Sequence, residues 1–86
     1  SPMPDLTPAQ VTDFQARLTQ CATPIEAITL LAQARKLAGL SPKIESRHRA
    51  GFSSERDYLK DLRERGLLQY TKLWESYQIK LKELLR

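Results

Sequence analysis

The chain has 86 residues, of which 41% are hydrophobic, enough for one small domain with a core of its own. A single cysteine excludes an internal disulfide, and no apolar run approaches the ~18 residues that would suggest a membrane span. No cationic start leads into an apolar block, so no signal peptide is expected, and the expected compartment is the cytoplasm.

Three start signals punctuate the sequence: Thr7-Pro8, Thr23-Pro24 and Ser41-Pro42 each place a hydroxyl residue before a proline. The hydroxyl can accept a bond from an amide of the first helical turn, and proline at the next position gives up no helical bond. Gln10 and Glu26 stand three residues after the first two caps, in the spacing of a capping box. Residues 1–6 are expected to form a flexible N-terminus, with Ser1-Pro2 as cloning residues ahead of Met3. Leu6 is nevertheless placed to pack on Val11 as a hydrophobic staple.

The first helix is predicted from Pro8 to Cys21, with Val11, Phe14, Leu18 and Cys21 on one stripe. Cys21 on that stripe is expected to be a buried thiol. Only Ala22-Thr23 separates this helix from the next, predicted from Pro24 to Ala38 and stopped by Gly39. Its apolar arc is broad: Ile25, Ala27, Ile28, Leu30, Leu31, Ala34, Leu37 and Ala38. Such breadth predicts the central helix, covered on more than one side. Ser41-Pro42 opens a short basic helix with little apolar content, held between Leu40 and Phe52.

Ser53 or Ser54 is expected to cap a helix over Glu55–Arg65, with Tyr58, Leu59 and Leu62 facing inward. Acidic residues open it and basic ones close it, as the helix dipole prefers. Gly66 either ends this helix or lies within a longer one. The last helix is predicted over Leu67–Leu85, carrying Leu67, Tyr70, Trp74, Tyr77, Leu81 and Leu84 at steps of three and four. No segment alternates as a strand does, so the fold is predicted to be all-α: a compact bundle of four main helices plus the short basic one.

The chemistry-bearing residues are few. His48 lies between Arg47 and Arg49, a setting that disfavours its protonation, and it has no companion donors for a metal. No phosphate-cradling glycine loop or paired cysteines occur, so no enzyme activity, metal, cofactor or small-molecule substrate is expected. Charge is unevenly spread: residues 1–34 carry −2, residues 35–49 carry +4 and residues 50–86 carry +2. The excess points to nucleic acid as partner, through Arg35, Lys36, Lys43, Arg47, Arg49, Ser54, Arg56 and Lys60. Basic surface clusters are also common as plain solvated surface. The alternative is a protein-interaction module, or a homo-oligomer, anchored on Tyr70, Trp74 and Tyr77 of the last helix. Those three residues also suit a role in closing the core.

Leu37-Ala38-Gly39-Leu40-Ser41, followed by a polar helix and Gly51-Phe52-Ser53, resembles a phage-repressor-type helix-turn-helix over residues 31–62. That resemblance implies a reading helix over 54–65 with Arg56, Lys60 and Arg63 facing DNA. The pattern departs at Pro42 and Ile44, its second turn comes one residue late, and Asp57 and Asp61 would repel phosphate. Membership of that family does not follow.

Overall fold

A computed structural model describes residues 4–40 and 50–86. The described residues form four helices and no strand: α1 (Pro8–Thr19), α2 (Pro24–Leu37), α3 (Glu55–Glu64) and α4 (Leu68–Leu84). The predicted all-α bundle is therefore observed. The Ser41-Pro42 start and the short basic helix lie outside the described residues.

Each of the first two caps forms. Thr7 Oγ1 accepts from the Gln10 amide at 3.1 Å, and Gln10 Oε1 accepts from the Thr7 amide at 2.9 Å, closing a full capping box. Thr23 Oγ1 accepts from the Glu26 amide at 3.2 Å, but the Glu26 carboxylate turns to the Ala22 amide and the Thr23 hydroxyl. At this exposed helix start, Thr23→Ala is expected to lower stability by about 1 kcal/mol. An unchanged denaturation midpoint would show that the bond contributes nothing.

Two helices end in the same way, and in each case the cause is glycine. Gly39 and Gly66 adopt φ of +82° and +98°, a left-handed conformation that costs glycine little. The Gly39 amide donates to Lys36 O and the Leu40 amide to Arg35 O, at 3.1 and 3.0 Å. The Gly66 amide donates to Arg63 O and the Leu67 amide to Leu62 O, at 3.0 and 2.9 Å. These paired bonds are Schellman motifs, and the residue after each glycine, Leu40 or Leu67, is fully buried. Gly66 thus terminates α3, and α4 begins as a separate helix.

That abrupt start leaves α4 with an uncapped N-terminus, because Leu67 has no side-chain acceptor. The acceptor comes from the far end of the sequence. Asp5 Oδ2 accepts from the Gln69 amide at 2.9 Å and Oδ1 from the Tyr70 amide at 3.0 Å. Leu6 is buried with Val11, as the staple requires, and Pro4 lies against Gly39. Asp5 and Leu6 of the expected flexible N-terminus are thus tied to the bundle, while residues 1–3 lie outside the described residues.

The centre of the fold is α4, not α2. It packs against α1, α2 and α3 alike, and buries Tyr70, Thr71, Leu73 and Tyr77. Its ties are polar as well: Gln15 Nε2 donates to Ser76 Oγ at 3.0 Å, and Lys80 Nζ donates to Thr19 O at 3.2 Å. The second bond satisfies a carbonyl at the C-terminus of α1, where a cation is favoured. Helix α2 is covered on one side only. Ala27, Leu30, Leu31 and Ala34 are buried, while Ile25, Ile28 and Leu37 remain 76%, 51% and 51% exposed. Cys21 is half-buried at the edge of the core, short of the burial expected for it.

Candidate nucleic-acid interface

Helix α3 sorts its side chains into three stripes, because successive residues are ~100° apart around a helix. Tyr58, Leu59 and Leu62 form the buried one, as predicted. Arg56, Lys60 and Arg63, spaced four and three apart, follow one flank and are all exposed. Asp57, Asp61 and Glu64 follow the other flank with the same spacing. Opposite charges thus occupy adjacent flanks of one short helix, about 100° apart.

Local bonds hold this helix in register. Ser54 Oγ accepts from the Asp57 amide at 3.2 Å, so the hydroxyl expected to contact phosphate is the N-cap of α3. Phe52 stacks at a tilt on Tyr58, with ring centroids 5.7 Å apart, and anchors the chain entering the helix. Arg65 Nε donates to Asp61 Oδ2 at 2.7 Å along the helix, and Arg63 pairs with Glu75 on α4. Arg63 is thereby partly neutralised. Arg56 and Lys60 are in no ion pair within the described residues.

The other candidates divide. Lys36, in the last turn of α2, is exposed. Arg35 beside it is half-buried and acts on the Tyr77 hydroxyl. Burial raises the Tyr77 pKa above its ordinary 10.0, the Arg35 charge draws it down, and Glu55 at the start of α3 pushes it up. Arg35 at the end of α2 and Glu55 at the start of α3 thus both act electrostatically on Tyr77 of α4. Lys43, Arg47 and Arg49 lie outside the described residues, in the sequence that joins these two helix ends.

Of the three aromatic residues on the last helix, Tyr70 and Tyr77 are core, 1% and 7% exposed. They are filling, not free anchors. Trp74 differs: it is half-buried, packed against the core from outside. Its exposed part lines a groove between α3 and α4 with Glu55, Arg56, Leu59 and Arg63. Sequence reading placed Trp74 and Arg56 in rival sites; the packing of α3 on α4 puts them in one. Only the spacing of Arg56, Leu59 and Arg63 hinted at it, by setting a leucine at the border of the basic stripe.

Among the described residues no group of three or more His, Cys, Asp or Glu side chains is placed to hold a metal, and no helix is long and apolar enough to cross a membrane. The chain matches no protein-family model, no curated protein and no solved structure.

Proposed function

We propose that the protein is a small non-enzymatic nucleic-acid-binding module acting through the basic flank of α3. The observation that carries this reading is the segregation of charge on that helix, which gathers Arg56, Lys60 and Arg63 on one exposed side. Lys36 and the cations at 43, 47 and 49 are the further contributors, since in sequence they fall in the last turn of α2 or between α2 and α3. Phosphate contacts of this kind position a protein on nucleic acid without reading bases. Glu55, and Glu75 beside Arg63, oppose phosphate, so binding is weak and lost readily in salt.

Anisotropy titrations of a labelled DNA duplex across a salt series test this. Each lost phosphate contact lowers the log–log salt slope by about 0.9. Arg56→Ala with Lys60→Ala is expected to reduce it by about 2. Adding Lys43→Ala, Arg47→Ala and Arg49→Ala is expected to weaken binding further. Absence of low-salt binding, or an unchanged slope in the double variant, refutes the proposal.

A protein-interaction module is the second reading, and the observation in its favour is the exposure of Ile25 and Ile28 on α2. On the aromatic last helix only Trp74 remains available to a partner, because Tyr70 and Tyr77 are buried. Sedimentation separates the two readings, because an apolar association persists in salt that dissolves phosphate contacts.

A further inference from the structure

We infer that the α3–α4 groove takes a single unstacked base of a single-stranded nucleic acid, with the Trp74 indole as its stacking surface. This rests on the nucleic-acid reading above and narrows it to a strand type. The groove joins the two components that single-strand binding requires. One is an aromatic side chain, supplied by Trp74, which packs partly against the core and also lines the groove. The other is positive charge at the rim, supplied chiefly by Arg56, with Arg63 beside it in an ion pair with Glu75 and Lys60 continuing the stripe beyond the groove. A base stacked on the indole places its phosphates toward that rim.

Preference for single strands follows from geometry. The indole lies in a groove between two helices and not on a projecting tip. A base can reach it only after leaving its own stack, which a single strand permits at small cost and a duplex does not. Leu59 forms the apolar floor, and Glu55 at the rim keeps phosphates from entering the groove itself. Because every base has a π-face, the site is tolerant of sequence.

Trp74 is the sole tryptophan of the chain, so its fluorescence reports on this groove alone. The experiment titrates the whole protein at low salt with a dT oligonucleotide and, separately, with a duplex. Tryptophan emission and the anisotropy of the labelled nucleic acid are read together. The expected result is quenching by the oligonucleotide and tighter binding to it than to the duplex. Trp74→Leu, which retains an apolar side chain against the core, is expected to lose roughly tenfold or more of the single-strand affinity while duplex affinity is unchanged. Trp74→Phe is expected to restore much of the loss. An anisotropy change without quenching, or equal affinity for both strand types, overturns the stacking inference and leaves the basic-flank reading standing. Lack of any anisotropy change with either nucleic acid overturns both. If emission shifts on adding a helical peptide and not the oligonucleotide, the groove belongs to a protein partner and the inference fails.

Discussion

Gly39→Ala is expected to destabilise the fold by about 2–4 kcal/mol, a large share of the total for a small domain. Two costs combine. The φ of +82° is strained for any residue with a Cβ, and a Cβ built there lies 2.6 Å from two ring carbons of Pro4. The neighbour is ring carbon next to buried Leu6, so relief requires moving the N-terminal segment off the bundle. Gly66 supplies the internal control. Its φ is +98°, yet a Cβ there meets nothing within 4 Å. Gly66→Ala should therefore show the backbone strain alone, about 1 kcal/mol. Urea denaturation of the two variants side by side makes the test; equal losses would mean that the Pro4 contact has no energetic weight.

Asp5→Ala is expected to lower stability by about 2 kcal/mol. Its carboxylate satisfies two part-buried amides of α4, both bonds are assisted by charge, and the negative end meets the positive end of the helix dipole. Asp5→Asn keeps one acceptor oxygen and should recover part of the loss. The two predictions are coupled. If Gly39→Ala already displaces Pro4, then Asp5 has left α4, and adding Asp5→Ala should cost little more. A double-mutant cycle with strict additivity would show that the cap survives the clash.

The local structure of the chain was legible wherever its cause is local. Thr7, Thr23 and Ser54 cap their helices through amides three residues on, and Gly39 stops α2 by its own conformation. Tyr58, Leu59 and Leu62 face inward by helical period. The misplaced features all depend on distant residues. Asp5 caps a helix more than sixty residues away, and nothing in Pro4-Asp5-Leu6 announces that. Helix α2 looked central because its composition is apolar. Yet α4 is the hub, and its buried Thr71 and Leu73 lie off the single aromatic stripe that periodicity picks out. Thr71 escapes a hydropathy reading because its hydroxyl is satisfied within the helix, donating to Leu68 O at 2.8 Å. In the candidate site the cations were legible individually. Their sorting to one flank of α3 follows from the helix, but the meeting of Arg56 with Trp74 depends on how α3 lies on α4.

Helix α4, on which the other three rest, is also the last of the four to be synthesised. Until it emerges, α1, α2 and α3 lack the helix against which each of them packs. The nascent chain thus passes through a stage with three amphipathic segments and no completed core, in which apolar surface is exposed to other chains. The contacts between α1 and α4 join opposite ends of the described sequence, so folding should be slower than that of a bundle built from neighbouring pairs alone. A stop codon before residue 68 would remove the helix on which the other three pack.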